Sequence, residues 1–227
     1  YSVTNQSSTT ADISAKALTA TASASNKVYD GSSTATTTLS LSGFIGSETV
    51  TSTNSSTFNN KNAATGKTVT VNSITLADGS NGGLAANYSI STGQTTTANI
   101  TAKSLTVSGI TASNKIYDGG TTAATTLSFS GLIGSETLGQ TVGSTFDNKN
   151  VGTGKTVTVN SITLADGNNG GLAANYSISP GQTTTANVTT KALTVSGITA
   201  SNKTYDATTS ATLGTGSVSY GGIVSGD

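Results

Sequence analysis

The sequence predicts an all-β fold built as small domains in tandem, and three observations carry that prediction. Blocks of the chain return in register every 88 residues, apolar residues alternate with Ser and Thr at period two, and Gly, Asn and Asp cluster between these runs. Tandem β-sandwich-like domains in an elongated rod are the default architecture, with a β-grasp-like mixed sheet in each repeat as the alternative.

The repeat is the strongest of the three. Lys27-Val28-Tyr29-Asp30-Gly31 returns as Lys115-Ile116-Tyr117-Asp118-Gly119, and again as Lys203-Thr204-Tyr205-Asp206-Ala207. Aligning residues 26–103 with 114–191 leaves 60 of 78 positions identical. Residues 1–15 read as the tail of a preceding repeat, 16–102 as repeat 1, 103–190 as repeat 2 and 191–227 as the start of another. On that reading the chain is a piece of something longer. An 88-residue period exceeds that of a single supersecondary repeat, about 20–50 residues, and suits a small autonomous domain.

Within a repeat, Leu39 and Leu41 alternate with Ser and Thr, and Val69 and Val71 with Thr68 and Thr70. Ile74 and Leu76 continue the run in the opposite phase, which predicts a bulge or bend at Asn72-Ser73. Tyr88 with Ile90, Ile100, and Leu105 with Val107 mark further strands, giving seven or eight short ones per repeat. Asp30-Gly31, Asp78-Gly79, Gly82-Gly83 and Thr92-Gly93 are the turn signals, and the two Asp-Gly pairs predict type I′ hairpins. No stretch keeps the i, i+3, i+4, i+7 spacing of a capped helix.

Composition narrows the function classes. Ten Lys balance ten acids, there is no His, Cys, Met or Trp, and only 9% of the chain is charged, against about 25% in ordinary domains. Low hydrophobicity alone suggests disorder, but abundant Thr, Val and Ile with no net charge favour thin β structure. A neutral chain gives no reason to expect nucleic acid as a partner, and no apolar run reaches the ~18 residues that read as a membrane span. Without imidazole or thiol, most nucleophile and base arrangements and the usual transition-metal ligands are missing. The expectation is therefore no enzyme, no cofactor and no metal.

Three motifs resemble chemistry and are read as structure. Gly152-Thr153-Gly154-Lys155-Thr156 imitates the end of a phosphate loop, but Lys149 stands where the first Gly belongs and Val157-Thr158-Val159 reads as a strand. Asp166 to Gly171 is dense in oxygen ligands, yet loop position 12 is Ser177 where an EF-hand needs Glu. It reads as a turn, with weak calcium binding left open. Lys27, Tyr29, Asp30 and Gly31, with Lys115, Tyr117, Asp118, Gly119, Lys203, Tyr205 and Asp206, are read as a structural motif: a half-buried Tyr followed by its turn. Tyr88 and Tyr176 are read as second core tyrosines. Lysines beside amides also leave open an intramolecular isopeptide bond, and Asn87-Tyr88-Ser89 and Asn99-Ile100-Thr101 leave open N-glycosylation.

The chain resembles the YDG-type repeats of large bacterial surface proteins, including filamentous-haemagglutinin-like adhesins. The resemblance rests on the Lys-x-Tyr-Asp-Gly block, Gly-(Phe/Leu)-Ile-Gly-Ser-Glu, Phe-(Asn/Asp)-Asn-Lys-Asn, Gly-Lys-Thr-Val-Thr-Val, Asn-Tyr-Ser-Ile and the closing Ala-Asn-(Ile/Val). It implies export to the cell surface, tandem arrays and a stalk or adhesin role, with no catalytic residues to carry over. The Tyr-Asp-Ala copy at 205–207 and the Gly-Gly-Leu-Ala-Ala approach to Asn-Tyr depart from the pattern, and both fall in turns.

Three functions follow as expectations. The first is a spacer whose partners are neighbouring repeats of the same chain. The second is a fibre in which identical chains associate, since few charges guard the sheet edges. The third is direct adhesion to a glycan, an ice face or another surface ligand.

Overall fold

The computed structural model describes residues 1–2 and 8–227. Residues 3–7 of the expected N-terminal tail lie outside the described residues. Contacts divide the chain into two compact units. Unit 1 comprises Tyr1–Lys103 and Ala174–Ser177, and unit 2 comprises Ser104–Ala173 and Ile178–Asp227.

The first repeat contributes eight strands: β1 (Lys16–Ala24), β2 (Lys27–Val28), β3 (Thr34–Ala35), β4 (Thr37–Ser42), β5 (Val50–Phe58), β6 (Ala64–Asp78), β7 (Tyr88–Ile90) and β8 (Thr95–Thr101). They form two small sheets, ordered β4-β1-β7 and β2-β8-β6-β5-β3. The two-sheet expectation holds, but both sheets are mixed, because β1 runs parallel to β7 and β2 parallel to β8. The only helical elements among the described residues are two three-residue 3₁₀ turns, so the helix of a β-grasp fold has no counterpart there.

The long β5–β6 hairpin organises the unit. Lys67, Val69 and Val71 face inward on alternate positions, as do Ser56 and Phe58 on the partner strand. The ladder then slips: Ser56 pairs with Val71 but Ser55 with Ser73, leaving Asn72 as the extra residue. This bulge falls where the phase change predicted it, and it returns Ile74 and Leu76 to the inner face. Below the bulge the sheet buries Ala35, Phe58, Val69, Ala98 and Ile100. Above it, Leu18, Val50 and Tyr88 cluster with Leu41, Phe44, Leu76 and Ile90. Each fully buried Val, Leu or Phe stabilises by roughly 1.5–3 kcal/mol, so two thin clusters carry a unit that is rich in Ser and Thr.

The chain continues through β9 (Lys103–Ser104), β10 (Thr106–Ala112), β11 (Lys115–Ile116), β12 (Thr122–Ala123), β13 (Thr125–Ser130), β14 (Leu138–Phe146), β15 (Gly152–Asp166), β16 (Tyr176–Ser177) and β17 (Thr183–Thr189). Unit 2 contains the pair β10–β13 and the sheet β11-β17-β15-β14-β12, in the same order as its counterpart. Its lower cluster holds Ala123, Phe146, Val157, Ala186 and Val188. The second repeat has one more residue than the first between its Leu and its Ser-Asn-Lys. The structure absorbs it as a bulge, since Val107 pairs with Phe129 and Gly109 with Ser128, leaving Ser108 over. Unit 2 ends in two short pairs, β18 (Thr194–Ser196) with β21 (Ser219–Gly221) and β19 (Thr199–Ala200) with β20 (Leu213–Gly214).

The Asp-Gly hairpins are corrected. A type I′ turn needs positive φ at both central residues, and neither Asp30 nor Asp78 has it. Strands β2 and β3, on either side of Asp30-Gly31, pair with β8 and β5 rather than with each other. The primed turn lies three residues beyond Asp78, at Asn81 (φ 56°) and Gly82 (φ 85°), closed by the Gly83 N–H donating to Ser80 O at 3.1 Å. Asn169 and Gly170 repeat it. Gly79 and Gly83 serve close approach instead: a Cβ on either would lie 2.1 or 1.9 Å from Thr49 O.

Candidate functional site

The recurring Lys-x-Tyr-Asp-Gly block forms a loop held by its own lysine. In the first copy, Lys27 Nζ lies 2.8 Å from Asp30 Oδ1, 2.9 Å from Ser32 O, and 3.0 Å from both Ser32 Oγ and Thr34 O. The Phe58 ring covers it, with the centroid 5.7 Å away. Asp30 Oδ1 also accepts the Ser32 N–H and hydroxyl, an Asx turn in which Gly31 takes φ 79°. One ammonium thereby ties the end of β2 to the start of β3.

The other copies repeat the cage. Lys115 Nζ lies 2.7 Å from Asp118 Oδ1 and donates to Gly120 O and Thr122 O, with Phe146 over it. Lys203 Nζ binds Asp206 at 2.8 Å, with Thr208 O and Oγ1. Ala207 occupies the glycine position of the third copy and takes φ 57°, a conformation that costs an L residue energy. The Lys115 hydrogen bond, then that of the Gly120 N–H, hold the Asp118 carboxyl below its usual range. Desolvation pushes Asp30 up, but Lys27 and Ser32 together bring it down.

The three tyrosines of the block differ in their surroundings. Tyr29 is 1% exposed in unit 1, and its ring meets that of Tyr176 edge-on at 5.4 Å. Tyr117 is half-buried in unit 2, its hydroxyl donating to Asp227 Oδ1 at 2.9 Å, with Lys149 Nζ 6.0 Å from the ring centroid. Tyr205 is 89% exposed. The second-core tyrosine Tyr88 is buried, stacks edge-on with Phe44, and donates to Glu48 Oε2 at 2.6 Å while accepting the Ile45 N–H. The Glu48 carboxylate raises the Tyr88 phenol.

The decoy motifs resolve into loop supports. Gly152 to Thr156 lies in β15, and Lys155 Nζ bonds Asn148 Oδ1 and, at 2.9 Å, Asp147 Oδ1. Lys67, its equivalent, is 6% exposed and reaches Asn60 Oδ1 at 2.7 Å, with Asn59 standing where the second repeat has Asp147. Burial without a carboxylate pushes its ammonium down. In the suspected calcium loop, Asp166 Oδ1 accepts the Ala173 N–H at 2.7 Å.

Sequence reasoning passed over three supports. Asn99 Oδ1 accepts the Gly66 N–H at 2.8 Å, Asn26 Oδ1 accepts the Asn99 N–H at 2.7 Å, and Glu48 holds Tyr88. Asn187, Asn114 and Glu136 recur 88 residues on, so the repeat itself was the signal that could have found them.

These features define a class: a β-repeat protein whose recurrent polar residues hold its own loops. Within that class the chain belongs to the YDG domain family, whose model matches it twice, over residues 14–98 and 101–186. Comparison with curated proteins and with solved structures returns no match.

Proposed function

We propose that this chain is a segment of a bacterial surface protein in which YDG domains are strung together outside the cell as a non-catalytic spacer. One observation carries the reading: in all three copies the lysine and aspartate of the signature block are turned onto the loop's own backbone. A motif selected for binding would aim these groups outward. Near-identity of the repeats supports the same reading, because a spacer is lengthened by adding copies of a unit that already folds. Partners on this view are the neighbouring repeats themselves.

Small-angle scattering from arrays of two, four and six repeats tests it. The maximum dimension is expected to grow by an equal increment per repeat. Arrays that collapse to globules, or one repeat binding a defined ligand with turnover, would overturn the reading.

A further inference from the structure

The two Asn-Gly pairs of the chain, Asn81-Gly82 and Asn169-Gly170, stand at equivalent places in the two repeats. Asn-Gly is the pair most open to deamidation, because glycine sets no side chain between its own backbone nitrogen and the Asn carboxamide. Hydroxide removes the glycine N–H proton, the nitrogen bonds to the carboxamide carbon, and ammonia leaves with a proton from water. A water molecule then opens the cyclic imide at one carbonyl or the other, giving aspartate or isoaspartate. The net change is carboxamide plus water to carboxylate plus ammonium.

Both pairs lie in the primed turn, each Asn at φ 56°. A residue in the left-handed region sets the next backbone nitrogen on the far side of its Cα–C bond from Cβ. The Gly82 nitrogen and the carboxamide it would attack are thereby held apart, and the turn must open before the ring can close. Four hydrogen bonds oppose that opening. Gly83 N–H donates to Ser80 O at 3.1 Å and Gly79 N–H to Gly83 O at 2.9 Å. Asn81 Nδ2 donates to Ser47 O at 2.9 Å, and Ser80 N–H to Thr49 Oγ1 at 3.0 Å. In unit 2, Asn169 Nδ2 donates to Ser135 O at 3.0 Å and Asn168 N–H to Thr137 Oγ1 at 2.8 Å.

We propose that Asn81 and Asn169 are deamidation sites gated by this turn: a closed turn keeps the carboxamide, and an opened one loses it for good. A carboxylate at position 81 has no hydrogen to give Ser47 O. Isoaspartate also lengthens the main chain by a methylene beside Gly83, where a Cβ would already lie 1.9 Å from Thr49 O. Thr49 follows Glu48, which holds Tyr88, so conversion loosens the loop that fixes this core tyrosine.

Peptide mapping by mass spectrometry of the full chain kept at mildly alkaline pH tests the proposal, with isoaspartate counted by enzymatic methylation. Both sites are expected to convert at least about tenfold more slowly in the folded chain than in urea, since the open turn is a minor state. Thr49→Val removes the acceptor of the Ser80 N–H at an exposed side chain. It is expected to speed conversion at Asn81, while the circular dichroism spectrum and the Asn169 rate keep their parent values. Converted chains should exchange the Thr49 amide faster, because that N–H donates to Ser80 O at 3.2 Å. Equal rates in folded and urea-unfolded chains overturn the gate, a comparison that needs no variant. An unfolded chain that does not convert overturns the sites, and Asn81 still matching Asn169 in Thr49→Val overturns the part given to the turn's hydrogen bonds. None of these results bears on the spacer reading, whose test is length alone.

Discussion

Lys115 and Asp118 show how much of the loop rests on one ion pair. The pair is 2.7 Å long, and the Gly120 N–H adds a second bond to the same carboxylate oxygen. The carboxyl titrates lower in the folded loop than in the unfolded chain, so the pair stabilises above the unfolded pKa of about 3.9. That stability is lost as pH falls through the folded value. Thermal melts between pH 2 and 6 should show a decline at the acid end that is shallower in Asp118→Asn. Ala207→Gly should relieve the left-handed strain and stabilise the third loop by about 1 kcal/mol, read as slower amide exchange around Thr208. Asn59→Asp would give Lys67 the carboxylate that Asp147 gives Lys155. A gain of at most about 1 kcal/mol in urea unfolding is expected, since such an aspartate is half in water. Lysine and amide meet at Lys67 and Asn60, but the carboxylate beside the equivalent Lys155 is 45% exposed and ion-paired. That ion pair engages the Lys155 nitrogen, and intact mass should equal that of the sequence. A deficit of one ammonia per repeat would show an isopeptide bond.

Among the elements, the two bulges make opposite predictions. Asn72 restores the inward phase of Ile74 and Leu76, so its deletion would turn both outward and cost about 2–5 kcal/mol. Deleting Ser108 should cost under about 1 kcal/mol, because the first repeat lacks that residue and pairs Thr19 to Ala24 without a break. Urea unfolding of the two deletions measures the contrast. The strand that flips phase was legible from Val69, Val71, Ile74 and Leu76 alone, since burial demands alternation. Strands β2 and β3 were not legible, because two residues cannot show a period. The primed turn was misplaced for a related reason. Both Asp-Gly and Asn-Gly satisfy the local turn rule, but Gly79 is held against Thr49 O, a contact made by chain 30 residues away.

Across the whole molecule, the repeat period located the signature loops before any geometry was known, and their tyrosines fell where two repeats place equivalent residues. What the period could not convey is that equivalent residues meet different partners, as Lys67 and Lys155 do, because Asn59 stands where the second repeat has the carboxylate of Asp147. The account holds that each YDG repeat closes its own β core around a lysine-caged loop. Pulling the chain by its ends in a single-molecule force experiment tests that directly. Two separate unfolding events are expected, each releasing somewhat under ~300 Å of chain for an 88-residue repeat. One event releasing both lengths together, or extension without resistance, would contradict it.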